Sequence, residues 1–220
     1  MTTAVITIDG PAGVGKGTLA RNLAAHYGFA YLDTGALYRA TALRCLALAV
    51  PPEDAAACAA TLTPEDLAHP DLRQEAVGAM ASRVAAIPDV RAALVEYQRR
   101  FAAQPPNGAA GAVLDGRDTG TVICPDAPAK LFLTASAEIR AERRLKELQE
   151  RGEAAIYDTI LREIRERDAR DQGRAIAPLV PAADAVIIDT SCKTIADVFD
   201  FAVRCIDQRL ARESARRGFH

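Results

Sequence analysis

The sequence predicts an α/β fold in which helices flank a five-stranded parallel sheet. Five short runs of apolar and β-branched residues alternate with longer helical patterns along the 220 residues. This alternation is typical of βαβ units, whose strands are parallel and whose crossovers are right-handed. The chain shows neither an internal repeat nor a linker long enough to separate independent domains. We therefore expect one domain over residues 1–220, with a sizeable core.

The predicted strands are short and widely spaced. In chain order they are "AVITI" (4–8), "FAYLD" (29–33), "AVLD" (112–115), "AKLFLTA" (129–135) and "DAVIIDT" (184–190). Helices are predicted at "GKGTLARNLAAHYG", which Gly28 ends, at "TGALYRATALRCLALA", on both sides of Pro88, at about 136–151 and 154–170, and from about Thr194. Residues 51–70 are rich in alanine, proline and acidic side chains, so short helical pieces and loop are expected there.

The composition restricts the partners and the cellular location that we expect. The chain is 50% hydrophobic and 25% charged, and its formal net charge of -2 does not favour nucleic acid or an anionic membrane. The five cysteines form no C-x-x-C pair, which favours reduced thiols. No signal-peptide pattern and no apolar run of roughly 20 residues is visible. We therefore expect a cytoplasmic protein that binds neither nucleic acid nor membrane.

A glycine-rich turn follows the first predicted strand and opens the first predicted helix. Its spacing, Gly10-x-x-x-x-Gly15-Lys16, matches a P-loop in the strand–turn–helix context that a P-loop requires. Glycines let backbone N–H groups approach phosphate oxygens, the helix N-terminus adds partial positive charge, and the lysine supplies a mobile cation. The motif predicts a site for ATP formed by Gly10, Pro11, Ala12, Gly13, Val14, Gly15, Lys16, Gly17 and Thr18.

The residue after the P-loop lysine departs from the usual pattern. Gly17 stands where a serine or threonine normally ligates magnesium, and the hydroxyl follows one place later at Thr18. We therefore expect no direct protein ligand to Mg²⁺. Phosphates and water would hold the ion, and Thr18 and Asp115 would act on it through water.

P-loop enzymes place a second carboxylate at the end of another strand, where it orients the metal ion and its waters. Asp115 ends the run "AVLD" and is followed by Gly116 and Arg117, so it is the first candidate. Asp33, at the end of "FAYLD", is the alternative. Either aspartate could instead cap the turn or helix that follows it.

Several arginines stand where they could bind phosphate. Arg39 lies early in the second predicted helix, and Arg117 directly follows a strand end. Arg167, Asp171 and Arg174 are spaced four and three residues apart, so they share one face if the helix persists. That stretch is equally consistent with a solvated helix that carries ion pairs. A phosphoryl-transfer site, however, needs arginines that arrive on closure, because charge spreads over three oxygens in the transition state.

Five stretches of the chain, taken together, carry a resemblance. They are "ITIDGPAGVGKGTLA", "YLDTGALYR", "ASRVAAIPDVRAAL", "LDGRDTGTVICPDAPAKLFLTAS" and "RERDARDQGRAIAPLVPAADAVIIDTS". In this order they resemble the bacterial cytidylate kinase family, and the likeness runs from about Thr2 to about Ala202. The resemblance implies a P-loop nucleoside monophosphate kinase fold and transfer of the γ-phosphoryl group of ATP to CMP or dCMP with Mg²⁺. We expect a monomer.

The resemblance also implies how the base of the acceptor is read. Ser82 and Asp118 would face the cytosine amino group, while Arg91 and Arg174 would address the acceptor atoms of the ring. An oxygen acceptor matched to the N4 amine favours cytosine over uracil, which carries an oxygen at that position. Spacing alone does not assign these roles.

The remaining roles implied by the resemblance concern phosphate and sugar. Arg39 and Arg117 would hold the acceptor phosphate, Arg167 and Asp171 would reach the sugar, and Arg170 would join the arginines around the transferring group. The expected acceptor-binding set is Asp33, Thr34, Arg39, Ser82, Arg91, Asp115, Arg117, Asp118, Arg167, Asp171 and Arg174. The expected catalytic set is Lys16, Asp115, Arg117 and Arg170.

The resemblance finally divides the single domain into three parts. The core would comprise about 1–50, 105–150 and 180–220, the acceptor-binding region 51–104 and an arginine-rich lid 151–175. Many family members carry a longer insert with short strands before the "ASRVAAIP" helix, whereas this chain has "VPPEDAAACAATLTPEDLAHPDLRQE". We therefore expect a small, mainly helical acceptor-binding region.

Two other functional classes remain open on the sequence. One is a P-loop kinase for another small acceptor, such as UMP, AMP or shikimate. The other is a nucleotide-binding regulator that transfers nothing, although such a protein would not need arginines on the acceptor side. A scaffolding role explains neither the P-loop nor the arginines.

Overall fold

Five strands form a single sheet in the computed structural model, which describes residues 3–217. The strands are β1 Ala4–Asp9, β2 Ala30–Asp33, β3 Gly111–Asp115, β4 Ala129–Thr134 and β5 Val186–Asp189. All four neighbouring pairs are parallel, and the order is β2–β3–β1–β4–β5. The predicted fold class is confirmed. Positions 1–2 and 218–220 of the predicted domain lie outside the described residues.

Helices connect the strands close to the predicted positions. Their bounds are α1 Lys16–Tyr27, α2 Thr34–Ala47, α3 Ala56–Ala60, α4 Pro64–Leu67, α5 Glu75–Val84, α6 Pro88–Ala103, α7 Ala137–Glu150, α8 Tyr157–Gln172 and α9 Ile195–Arg217. Gly28 ends α1 with a φ of 65°, a left-handed conformation that glycine adopts without strain. Among the helices of the described residues, none combines the length and the apolar character needed to cross a membrane.

The segment before α5 is built from single helical turns, as the sequence predicts. Two short 3₁₀ helices, Pro52–Asp54 and Pro70–Arg73, accompany α3 and α4 there. Their prolines at the first helical position suit a helix start, because that position needs no N–H donor. The described residues between α2 and α5 therefore form short helical turns joined by loops.

The sheet register brings three aspartates to one edge. Asp115 at the end of β3 pairs with Asp33 at the end of β2 and with Ile8 in β1, whose next residue is Asp9. Ligands of open α/β sheets bind outside the carboxyl ends of the strands. The glycine-rich loop leaves β1 at this same edge and leads into α1.

Two main apolar clusters hold the elements in place. The first packs the sheet against α1 and α9 and includes Ile6, Ile8, Leu23, Leu131 and Ile206. The second joins α2 to the helices of the predicted acceptor-binding region and includes Leu37, Val77, Val84, Val90 and Leu94. Each such side chain stabilises the fold by about 1.5–3 kcal/mol when fully buried. The helices α3, α5 and α6, which belong to the predicted acceptor-binding region, thus pack against α2 in an apolar cluster separate from the one around the sheet.

Candidate active site

The glycine-rich loop has the backbone conformation that its glycines predict. Gly10, Gly13 and Gly15 have φ values of 144°, 80° and 90°, which residues with side chains rarely adopt. A Cβ on Gly10 would lie 2.1 Å from the carbonyl oxygen of Leu133. α1 begins at Lys16, directly after the loop. This strand–loop–helix arrangement is typical of an anion-binding site.

Lys16 is a buried cation at the end of this loop. Its Nζ donates a hydrogen bond to the carbonyl oxygen of Pro11 at 2.8 Å. Burial, and after it the charge of Arg117, lowers the pKa of Lys16 to about 7, while Asp115 and Asp9 oppose the shift. The described residues therefore do not fully compensate the charge of the ammonium group. A phosphate group would supply the missing negative charge.

Asp115 is the strand-end carboxylate that interacts with Lys16. Thr34 Oγ1 donates to the backbone carbonyl of Asp115 at 2.8 Å, and the Tyr31 hydroxyl lies 3.5 Å from Asp115 Oδ2. Burial raises the pKa of Asp115, and Lys16 is the strongest influence against that rise. The hydroxyl of Thr34 therefore joins the start of α2 to the backbone at the end of β3.

Asp33 has the capping role that the sequence left open as an alternative. Its Oδ1 accepts a hydrogen bond from the backbone N–H of Ala36 at 3.1 Å, so it is the N-cap of α2. Its other oxygen, Oδ2, lies 3.6 Å from Arg39 Nη1. Asp33 thus places Arg39 at the same edge of the sheet, and its contact with an acceptor stays a prediction.

The side chains near Lys16 fit a metal ion that is held mainly by phosphate and water. Within residues 3–217, no group of three or more His, Cys, Asp or Glu side chains could hold a metal ion. A Cβ on Gly17 would lie 3.3 Å from Asp115 Oδ2 and 3.4 Å from Arg21 Nη1, so a serine there would be crowded. Asp115 and Thr18 remain as side chains that could act on the ion through water.

Three arginines surround one carboxylate beside the end of β3. Asp171 Oδ2 accepts from Arg117 Nε at 3.0 Å, and its Oδ1 accepts from Arg174 Nη2 at 2.5 Å. Arg167 Nε is buried and has no hydrogen-bond partner among the described residues. Burial, and then Arg117, lowers the pKa of Arg167 to about 10. The cluster has an excess of positive charge, which suits an oxyanion.

The sequence places Arg167, Asp171 and Arg174 on one helix face on the condition that the helix persists. α8 ends at Gln172, so Arg174 lies just beyond the helix. Gly173 N–H donates to the carbonyl oxygen of Ala169 and closes the last turn. Arg174 still forms an ion pair with Asp171, three residues before it.

A second charged pair, Arg91 and Asp118, lies close to the arginine cluster around Asp171. Arg91 donates to Asp118 in a short, buried ion pair. The Arg91 guanidinium also lies over the ring of Tyr38, 5.9 Å from its centroid. Burial raises the pKa of Asp118, and Arg91 opposes that rise most strongly. The predicted base-reading residues Arg91 and Asp118 are therefore in direct contact.

A cavity of about 400 Å³ lies between α5 and the end of α8. Its lining includes Ser82, Arg83, Ala86, Arg170, Gly173 and Arg174. Arg170 Nε is 3.5 Å from Ser82 Oγ, so this arginine lies beside a residue that was predicted to read the base. Arg167, by contrast, contributes to the lowered pKa of Lys16. The structure thus brings Ser82 together with two of the predicted lid arginines.

Asp9 is a site residue that the sequence reasoning missed. It is 4% exposed, and its two carboxylate oxygens accept hydrogen bonds from Thr119 and Gly120 in the loop after β3. A usable signal was present, because Asp9 directly follows the predicted strand 4–8 and precedes the glycine-rich loop.

Arg140 and Asp168 form a contact between α7 and α8 that was also missed. Arg140 Nη1 and Nη2 donate to the two carboxylate oxygens of Asp168 at 3.0 and 2.5 Å. Arg140 also donates to the backbone carbonyls of Ala12, at 3.2 Å, and Ala135, at 3.1 Å. It therefore joins the phosphate loop to the predicted lid. No sequence motif indicates this ion pair, because Arg140 and Asp168 lie in helices that contain many charged residues.

Comparisons with known proteins agree on one family. The family model Cytidylate kinase matches residues 6–208. The Cytidylate kinase of Paramagnetospirillum magneticum is 60% identical over 190 residues, which are 85% of this chain and 90% of that protein. The Cytidylate kinase of Xanthobacter autotrophicus is 56% identical over 209 residues, 94% of this chain and 99% of that one.

Solved structures of more distant proteins share the fold. A gluconokinase from Sinorhizobium meliloti 1021 is 18% identical, covers 98% of both chains and has a TM-score of 0.52. TT1252 from Thermus thermophilus is 19% identical, with 96% of this chain and 99% of that chain covered and a TM-score of 0.52. At such identity the likeness concerns the fold alone.

Proposed function

The chain belongs to the cytidylate kinase family and is a nucleoside monophosphate kinase. On that premise we propose that it transfers the γ-phosphoryl group of ATP to CMP or dCMP and releases ADP with CDP or dCDP. One observation carries the proposal. Asp171 accepts hydrogen bonds from Arg117, which follows the end of β3, and from Arg174, which lines the cavity beside Ser82, so a network of charged side chains joins the end of β3 to the predicted acceptor pocket. Such a network suits two phosphate-bearing substrates bound side by side.

The acceptor base is proposed to be read by Asp118 and Ser82. A carboxylate only accepts hydrogen bonds, so it suits the N4 amine of cytosine and repels the O4 oxygen of uracil. Arg91 only donates, and it suits the ring acceptors that cytosine presents beside its amine. The contact between Arg91 and Asp118 supports this assignment, because it places an acceptor and a donor side by side.

The transfer is proposed to be an in-line displacement without an enzyme-bound intermediate. An anionic phosphate oxygen of CMP attacks the γ-phosphorus, and the bond from that phosphorus to the β-bridging oxygen breaks. No general base is needed, because the attacking oxygen carries no proton that must be removed. Lys16, Arg117 and Arg170 would offset the charge on the phosphoryl oxygens. Arg167, in the proposed lid, lies close enough to Lys16 for its charge to lower the pKa of that lysine.

A divalent metal ion accompanies ATP in this family, and we propose that it is Mg²⁺. When bound, the ion would neutralise charge on the β- and γ-phosphates. Asp115 and Thr18 would hold its waters in place. Magnesium characteristically keeps several waters and binds through few protein carboxylates, and Asp115 is a buried carboxylate close to Lys16 that could hold such waters.

The division into parts is proposed on the same basis. We assign about 1–50, 105–150 and 180–220 to the core, 51–104 to acceptor binding and 151–175 to the lid. The separate apolar cluster of the acceptor-side helices supports the second assignment, although α2 shares that cluster. The monomeric state, the cytoplasmic location and the lack of a nucleic-acid partner stay predictions.

The test of the proposed function is ADP release from Mg²⁺-ATP with CMP, dCMP, UMP, AMP, dTMP and shikimate in parallel. We expect CMP and dCMP to be used at least about tenfold faster than the others, because the buried carboxylate rejects the O4 oxygen of UMP and dTMP, while AMP and shikimate differ from a cytosine nucleotide in size and shape. Release dominated by another acceptor would contradict the assignment of Asp118. The absence of any acceptor-dependent release, from protein that binds ATP, would favour a nucleotide-binding regulator.

ATP binding at pH 8 is expected to take up protons. Lys16, with its pKa lowered to about 7 by burial, is mostly neutral at that pH, and contact with triphosphate restores its charge. Calorimetry in two buffers with different ionisation enthalpies measures the uptake. The variant Lys16→Arg serves as control, because a guanidinium stays protonated throughout. Equal binding enthalpies in both buffers for the unmodified protein would contradict this prediction.

A further inference from the structure

Asp9 lies at the end of the central strand, where it contacts the loop that follows β3. Its Oδ1 accepts from the backbone N–H and the hydroxyl of Thr119, at 2.9 and 2.8 Å. Its Oδ2 accepts from the backbone N–H of Gly120 at 2.8 Å. One buried carboxylate is therefore satisfied by three donors that all come from a single loop.

This loop carries much of the predicted acceptor machinery. Within six residues it contains Asp115, Arg117 and Asp118, and it continues into the π-helical turn Thr119–Ile123. Nothing in the sequence between Asp115 and Thr119 is bulky enough to hold the loop by apolar packing. The hydrogen bonds to Asp9 are thus the main side-chain attachment of its far end to the sheet.

Two glycines show how closely the loop fits around this carboxylate. A Cβ on Gly120 would lie 2.8 Å from Thr7 Oγ1, 3.3 Å from Asp9 Oδ2 and 3.3 Å from Lys130 Cδ. A Cβ on Gly116 would lie 2.5 Å from Thr119 Cγ2 and 2.6 Å from Thr34 Oγ1. The backbone approaches β1 so closely that the N–H of Gly120 can reach the carboxylate.

We propose that Asp9 is a positioning residue that fixes the loop 115–120 and thereby sets how tightly the acceptor nucleotide binds. The proposal rests on the proposed function, since it assumes that Arg117 and Asp118 contact the acceptor. Asp9 itself touches neither substrate in this proposal. Asp9 instead holds the backbone of the loop that carries the side chains of Arg117 and Asp118.

Only the ionised carboxylate can accept all three hydrogen bonds at full strength. A proton on either oxygen turns one acceptor site into a donor that faces other donors. Burial raises the pKa of Asp9 to about 6, although the hydrogen bonds from Gly120 and Thr119 oppose this rise. The charged or titratable groups that face Asp9 are Asp118 from the loop, Lys16 from α1, Lys130 from β4 and Cys124 after the π-helical turn.

Protonation of Asp9 is therefore expected to loosen the loop as the pH falls through about 6. The backbone amide protons of Thr119 and Gly120 report this directly in ¹H–¹⁵N spectra of the substrate-free protein. We expect both resonances to titrate with a midpoint near pH 6. Spectra that do not change between pH 5 and pH 8 would overturn the proposal, whatever the substrate of the enzyme is.

Kinetics of Asp9→Asn give the second measurement. The amide nitrogen of asparagine cannot accept from Gly120, so we expect the KM for CMP to rise by roughly tenfold or more, the factor for a lost charge-assisted hydrogen bond. The KM for ATP should rise less than the KM for CMP, because Asp9 acts on Lys16 only through its charge, whereas it is hydrogen-bonded directly to the loop 115–120. Asp126→Asn, an exposed aspartate in the same segment, is the matched control. An unchanged KM for CMP would overturn the proposal.

The pair Thr119→Ser and Thr119→Val keeps the proposal testable if Asp9→Asn does not fold. Serine retains the hydroxyl that donates to Asp9, whereas valine removes it with almost no change in volume. We expect serine to preserve the KM for CMP and valine to raise it. Equal values for both variants would overturn the proposal. If the unmodified protein phosphorylates no nucleotide, the proposed function fails, while the amide titration still decides whether Asp9 holds the loop.

Discussion

Replacing Lys16 by alanine is expected to lower kcat by roughly 1000-fold, the upper end of the loss when one preorganised charge at a reacting oxygen is removed. Lys16 is 6% exposed, and its ammonium group donates a hydrogen bond to the backbone carbonyl of Pro11. Its lowered pKa indicates that burial makes the charged form of this ammonium group less favourable in the folded protein than in water. A residue kept in such an environment is adapted to an anionic ligand rather than to stability.

The measurement is phosphoryl transfer to CMP in a single turnover with saturating ATP, which separates chemistry from product release. Lys146→Ala is the matched control, because that lysine is exposed and its nearest carboxylate is 4.0 Å away on Glu150. Thermal unfolding should show that Lys16→Ala remains folded. Near-normal turnover in a folded Lys16→Ala protein would remove the phosphate-loop assignment.

Replacing Asp118 by asparagine is expected to change which pyrimidine the enzyme prefers. Asparagine still offers a carbonyl oxygen to the N4 amine of cytosine, but its amide group can donate to the O4 oxygen of uracil. Arg91 at the same time loses the negative charge of its buried partner. We expect kcat/KM for CMP to fall by about 10- to 100-fold, and the preference for CMP over UMP to shrink by about tenfold.

The asparagine variant is chosen over alanine because alanine would leave Arg91 buried without a partner. Breaking a buried ion pair in that way costs about 3–5 kcal/mol, which could unfold the protein and hide the effect on specificity. Ser82→Ala is a second probe, since it removes a hydroxyl and no charge. An unchanged ratio of CMP to UMP in both variants would show that the base is read elsewhere.

The sequence predicted the sheet and the phosphate loop well because both depend on local patterns. The five strands are apolar runs, and the loop is defined by glycine spacing within nine residues. The assignment of strand-end carboxylates was less complete. The rule of strand-end carboxylates led to Asp33 and Asp115. It did not select Asp9, because the predicted strand stops at Ile8, whereas β1 extends to Asp9. The contacts of Asp9 to the loop after β3 could not be inferred from local sequence.

The contacts that organise the candidate site join residues far apart in the chain. Arg91 and Asp118 are 27 residues apart, Arg140 and Asp168 are 28 apart, and Arg117 and Asp171 are 54 apart. Charged residues are common in these helices, so spacing alone cannot choose the partners. The spacing of Asp171 and Arg174 did indicate their contact, because the two residues are close in the chain and form an i,i+3 ion pair.

The hydrogen bonds of Arg140 fix one point of α8. They attach the Asp168 turn, close to the C-terminal end of this 16-residue helix, to the backbone of the phosphate loop. The backbone beside Arg167 and Arg170 is therefore ordered before any ligand binds. A group that is already ordered loses less conformational entropy on binding, so this attachment favours the binding of an anion by these arginines.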